Sequence, residues 1–169
     1  MKKWVLGTIL ILGINVSASL ACVCVSLDVP LADELKSAFK NADSIFLGKV
    51  TRFDFIKGVP NEYLESRRET VPGLTWETKT AVFDVDSYWK GTDDPEISIV
   101  MDTTRNSDGS GSSSSCEYSF EEGKTYLVFA RKQGEFLRNI ACSFTRRDDQ
   151  IEEIMPLLGE GKRPVKPKP

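Results

Sequence analysis

Residues 44–55 read Ser-Ile-Phe-Leu-Gly-Lys-Val-Thr-Arg-Phe-Asp-Phe. Apolar side chains alternate along them, with Ile45, Leu47 and Val50 on one side and Phe46 and Gly48 on the other. That pattern predicts a long strand from Ser44 to Phe55. Before it, Leu31, Leu35, Ala38 and Phe39 recur at helical spacing, so a helix is expected over Leu31–Asn41, introduced by Pro30. After it, Thr78–Trp89 is a second strand, with Ala81, Phe83, Val85 and Tyr88 as core candidates, and Glu96–Met101 is a third. Lys124–Ala130 and Glu135–Ser143 form a strand pair around Gln133-Gly134, and Asp148–Leu158 places Ile151, Ile154, Met155 and Leu158 on one helical face.

Two segments read as connections. Lys57–Thr75 carries two glycine-proline pairings, and Asn106–Ser115 is a Gly/Ser tract expected to be an exposed loop. The fold class that follows is mainly β with flanking helices: a five-stranded, OB-fold-like closed barrel. A β-sandwich typically needs about seven strands. Residues 1–21 form an export leader, 22–160 one domain, and 161–169 a Lys/Pro tail expected to be disordered.

Composition narrows the function. The 169 residues include 22 basic and 25 acidic side chains, a formal net charge of −3, and no histidine. A nucleic-acid binder needs a basic surface to release counterions, so no nucleic-acid partner is expected. Without histidine, the Ser-His-Asp and Cys-His mechanisms and every His-ligated metal site are absent. Glu121-Glu122 and Glu152-Glu153 are adjacent pairs, which belong on a solvated surface rather than around one substrate atom. The expectation is a non-enzyme with no cofactor of its own.

Met1–Ala21 has the three parts of a secretory leader. Lys2 and Lys3 precede a mostly apolar run from Trp4 to Val16, and Ser19 and Ala21 are the small residues at −3 and −1 of a cleavage site. The apolar run is too short for a convincing membrane span. Cleavage after Ala21 makes Cys22 the first mature residue and delivers the chain to an oxidising compartment, periplasmic or extracellular. A cysteine directly after the cut also allows a lipid anchor at Cys22, although Leu20 stands one place away from where that processing wants a branched apolar residue.

The four cysteines are Cys22, Cys24, Cys116 and Cys142. A Cys22–Cys24 bond would be strained, which leaves Cys22–Cys116 with Cys24–Cys142 or the crossed arrangement. Either way, two disulfides staple the first and third mature residues to distant parts of the chain. A rigid, exposed terminus of this kind has a chemical use. The α-amine has a reference pKa of about 7.7–8.0, and a neutral amine nitrogen with the carbonyl oxygen of the same residue can chelate a divalent ion. Placed at the open position of a catalytic zinc, they displace the nucleophilic water. Val23 would then enter the adjacent apolar pocket, while Cys24 and Val25 extend the contact edge.

At this point the sequence resembles the tissue inhibitors of metalloproteinases, whose N-terminal domain is a netrin-like OB barrel. Cys22-Val23-Cys24 matches the family's Cys-x-Cys start. Ala38-Phe39-Lys40-Asn41-Ala42-Asp43 is similar to its Ala-Phe-Cys-Asn-Ala-Asp segment, Tyr88-Trp89-Lys90-Gly91 to an aromatic-Lys-Gly strand end, Lys124-Thr125-Tyr126-Leu127-Val128 to its Lys-x-Tyr-Leu strand, and Cys142-Ser143-Phe144 to Cys-x-Phe. Cys116 falls where the partner of the first cysteine lies.

The resemblance implies the pairs Cys22–Cys116 and Cys24–Cys142. It also implies an inhibitor that contacts the zinc of a target endopeptidase, in a single-domain bacterial relative. The alternative from a different class is a non-inhibitory netrin-like module that binds another extracytoplasmic protein. There are departures from the pattern: Lys40 replaces a cysteine, Val23 a Thr or Ser, and Ser26 a proline.

Overall fold

The computed structural model of the chain describes residue 24 and residues 28–59, 75–91, 93–139 and 142–165. Its longest strands are bent ones. β1 (Ser44–Lys57) pairs antiparallel with β2 (Trp76–Lys90), and its register slips at Ile45/Phe46, Leu47/Gly48 and Val50/Arg52. Irregularities of this kind bend a strand and increase its twist. The bend lets the first half of β1 pair a second neighbour, β5 (Thr125–Gln133), from Ser44↔Ala130 to Lys49↔Thr125. Gly48 permits the close approach, since a Cβ there would lie 3.0 Å from the carbonyl oxygen of Asp84.

β3 (Glu96–Asn106) pairs antiparallel with β2, and β6 (Phe136–Asn139) pairs antiparallel with β5 and parallel with β3. Hydrogen-bonded neighbours therefore run β1-β2-β3-β6-β5 and back to β1, a closed ring of five strands. Two short pieces attach to it: β4 (Gly111–Ser112) on β3 and β7 (Arg146–Arg147) on β5. The expected mainly-β class with flanking helices is what the chain adopts.

Side chains on the two faces of these strands build two cores. Phe46 and Val50, Ala81, Phe83 and Val85, Ile97, Ile99 and Met101, and Tyr126, Val128 and Ala130 pack together with Phe120. The alternate residues Ile45, Leu127 and Phe129 pack instead against Leu35 of helix α1 (Leu31–Asn41) and against Phe144, Ile151 and Ile154. Strand β5 feeds both cores with period-two alternation. Val50, expected beside Ile45 and Leu47, lies with Phe46: even-numbered residues share a face.

Five expected elements differ. β3 runs on to Asn106, where Met101 was the expected end, because Thr104 pairs with Thr78 and Arg105 with Glu77. The Gly/Ser tract is exposed for most of its length but turns back on β3, with the Asn106 N–H donating to the Ser110 carbonyl at 2.7 Å and Thr104 paired to Ser112. The last ring strand stops at Asn139, short of Ser143. The expected helix over Asp148–Leu158 is two pieces, a 3-10 turn at Asp148–Gln150 and helix α2 (Met155–Leu158). Pro156 accounts for the break, since inside a continuous helix it would remove an amide donor and clash with the preceding turn; its place is the first turn of α2. Ile151 and Ile154 are nonetheless buried as expected. Gly161 and Lys162, read as tail, belong to the fold: Lys162 exchanges two 2.8 Å backbone hydrogen bonds with Tyr88.

Candidate functional site

Of the expected contact residues, Cys24 is described, whereas Cys22, Val23 and Val25 lie outside the described residues. Cys24 is exposed and disulfide-bonded to Cys142, 118 positions away, with Cα atoms 5.3 Å apart. The separation is within the ordinary range for a bridge.

Cys142 is held by its flanks. Its φ is +63°, and it is the one non-glycine residue with positive φ among the described residues. A left-handed conformation costs roughly 1–2 kcal/mol for a residue with a Cβ, so neighbouring contacts must offset it. They are dense. The Asn139 Oδ1 accepts from the Ser143 hydroxyl at 2.6 Å and the Thr145 hydroxyl at 2.8 Å, and the Phe129 N–H donates to Thr145 Oγ1 at 3.0 Å. Arg146 donates to the Thr145 carbonyl at 2.9 Å and stacks its guanidinium 5.0 Å from the Phe144 ring. Phe144 itself is buried edge-on against Phe129, ring centres 5.3 Å apart. Cys142 thus hangs from the helix-side core.

Cys116 is anchored from the other core. It is half-buried and disulfide-bonded, and its N–H donates to Ser114 Oγ at 3.1 Å. No described cysteine is free. Of the two expected staples, Cys24–Cys142 is described at both ends; the other expected pair, Cys22–Cys116, has Cys22 outside the described residues. Four residues beyond Cys116, Phe120 enters the ring core, packed edge-on against Phe83 at 5.2 Å and Tyr126 at 5.1 Å. The Tyr126 hydroxyl accepts from the Glu121 N–H at 3.0 Å. Burial raises the pKa of Tyr118 and of Tyr126 above the usual phenol range.

Beside Cys116 lies a carboxyl that no sequence pattern singled out. Glu117 accepts a 2.6 Å hydrogen bond from Thr103, and its other oxygen, Oε1, is buried with no partner among the described residues. Desolvation pushes its pKa above the ordinary carboxylate value, Asp102 adds to the push, and the Thr103 bond and Lys79 oppose it.

Two further features were not singled out by the sequence pattern. Lys90 reaches from the end of β2 to the C-terminus of α1, donating to the carbonyls of Phe39, Lys40 and Ala42, where a cation complements both the orphan carbonyls and the helix dipole. A depression of about 320 Å³ beside Phe144 and Arg146 is lined by Glu34, Asp149, Glu152 and Glu153. Among the described residues no three Cys, Asp or Glu side chains gather to hold a metal ion, and no helix is long and apolar enough to cross a membrane.

No protein-family model matches the chain, and no curated protein matches it.

Proposed function

We propose that the chain is an exported inhibitor of zinc endopeptidases, acting through its mature N-terminus. In this reading the amine and carbonyl of Cys22 chelate the target's zinc, Val23 fills the neighbouring apolar pocket, and Cys24 and Val25 extend the contact. The observation that carries it is the Cys24–Cys142 bridge, which ties an exposed residue two positions after Cys22 to a loop braced at Asn139, Ser143 and Thr145. A ligand held in place this way loses little entropy on binding, and the protein performs no catalysis itself. The tissue inhibitors of metalloproteinases, which the sequence resembles, supply the analogy.

The ring of five strands supports the finer fold reading as well. β1, β2 and β3 are consecutive neighbours and β5 returns to lie beside β1, which is the Greek-key order. With β6 closing the gap between β3 and β5, we read the ring as an OB-type barrel of the netrin-like kind.

The test compares mature protein beginning at Cys22 with the same protein carrying one extra alanine before it, or an acetylated terminus. Only the free-amine form should slow hydrolysis of a peptide by zinc endopeptidases, with a loss of at least about a hundredfold in the modified forms, since water keeps its place on the zinc. Equal inhibition by all three forms would remove the chelation mechanism.

A further inference from the structure

All four large hydrophobic residues exposed among the described residues lie outside the ring strands. Val29 (43%) precedes α1, Phe39 (37%) is on it, Leu157 (50%) is on α2, and Val165 (75%) follows. Phe39 and Leu157 line one shallow groove of about 400 Å³ between the two helices, together with Ala32, Leu35, Leu158 and the lysines Lys36 and Lys40. No acidic side chain lines it. The other flank of α1 is the opposite in character: Glu34 faces the depression shared with Asp149, Glu152 and Glu153. Two cations thus stand beside two of the exposed apolar side chains in one groove.

The start of the C-terminal tail is fastened to the same end of the molecule. The Trp89 indole donates to the Gly159 carbonyl at 3.0 Å, and Lys162 pairs with Tyr88. The next residue of β2, Lys90, holds the C-terminus of α1, its ammonium 5.7 Å from the Phe39 ring centre. Arg163 leaves the fold from this corner and is exposed, and the sequence beyond it adds Lys166 and Lys168 but no acid.

We propose that this flank docks on the surface of an anionic phospholipid bilayer. Phe39 and Leu157, exposed on two separate helices, suit insertion between headgroups, and Lys36 and Lys40, which carry apolar stems, can reach phosphate from the same groove. A peptide partner would favour a closed slot; here the apolar side chains remain one-third to three-quarters exposed. An anionic membrane attracts each nearby Lys or Arg by about 1 kcal/mol, which is about fivefold in binding.

Sedimentation of the mature protein beginning at Cys22 with phosphatidylcholine vesicles, and with vesicles containing an equal share of phosphatidylglycerol, tests this. Binding is expected only to the second kind and should weaken at high salt. Lys36→Gln with Lys40→Gln should lower the partition coefficient about thirtyfold, and Leu157→Ser about fivefold. All three sites are exposed, so the melting temperature should stay the same. Three outcomes overturn the proposal: no binding to either vesicle, equal binding to both, or lysine variants that bind like the unaltered chain. A concentration-dependent dimer abolished by Leu157→Ser, without vesicle binding, would assign the groove to a second copy instead.

Discussion

The two cysteines in the second half of the chain hang from different cores, and the cores differ in how they exclude water. Cys116 leads through Phe120 into the ring, where Phe83 meets Phe46, Phe120 and Tyr126 edge-on at 5.3, 5.2 and 6.4 Å. Cys142 leads through Phe144 to the layer between β5 and the helices, where Phe144 has a single aromatic partner among the described residues and borders the acid-lined depression. One core is closed by hydrogen-bonded strands on every side. The other is closed by a helix, a short turn and a broken helical segment.

The difference can be measured. Phe83→Ala should cost about 4–5 kcal/mol, near the top of the range for a buried aromatic, because the ring has no route by which to collapse. Phe144→Ala should cost about 3 kcal/mol, since water can enter from the depression. Denaturant unfolding of the two variants gives the comparison directly; equal losses would mean that the helix-side layer is as tightly closed as the ring.

Breaking the bridge across the second anchor ranks between these in size. Cys24→Ser with Cys142→Ser releases a loop of more than a hundred residues, which is worth about 5 kcal/mol in the chain-entropy model. The left-handed strain at Cys142 returns roughly 1 kcal/mol of that once the residue relaxes, so the net loss expected from unfolding curves is about 4 kcal/mol. A loss exceeding that of Phe83→Ala would show that the bridge also orders the helix-side layer.

Much of this architecture was legible because local and global signals agree. α1 occupies Leu31–Asn41 as its periodicity predicts, with Asp33 and Glu34 in the first turn and Lys40 in the last, as the helix dipole favours. β1 and β2 were legible from alternation, although both faces are buried at Ile45 and Phe46. The failures have physical reasons. β3 beyond Met101 reads as polar, yet Thr104 is buried because it pairs between strands. The apolar spacing of Ile151, Ile154 and Leu158 runs on across Pro156, so the periodicity alone does not show the break. Cys116 and Cys142 were legible as disulfide cysteines, but their supports were not. Asn139, Ser143, Thr145 and Glu117 are ordinary surface residue types, and only the tertiary structure brings them under Cys142 and Cys116.

The smallest expected effect separates the two anchors by pH. Cys142 is braced by neutral groups, Asn139, Ser143 and Thr145, and by the guanidinium of Arg146. Cys116 adjoins Glu117, whose desolvation raises its pKa in the folded chain. A carboxyl raised on folding holds its proton longer in the native state, so the folded form binds more protons in the interval above the unfolded value of about 4.3. Stability conferred at acid pH is then lost as pH rises through the folded value, and is flat above it. Glu117→Gln keeps an acceptor for Thr103 and cannot ionise, so its unfolding free energy should lack that decline while the unaltered chain shows it. Thr103→Val removes the bond that favours the charged form and should shift the decline to higher pH. Unfolding free energies of the three proteins, measured from pH 4 upward, decide the matter: a difference between the Gln variant and the unaltered chain that does not change with pH would mean that Glu117 is solvated as the ordinary carboxylates are, and that both anchors are indifferent to protons.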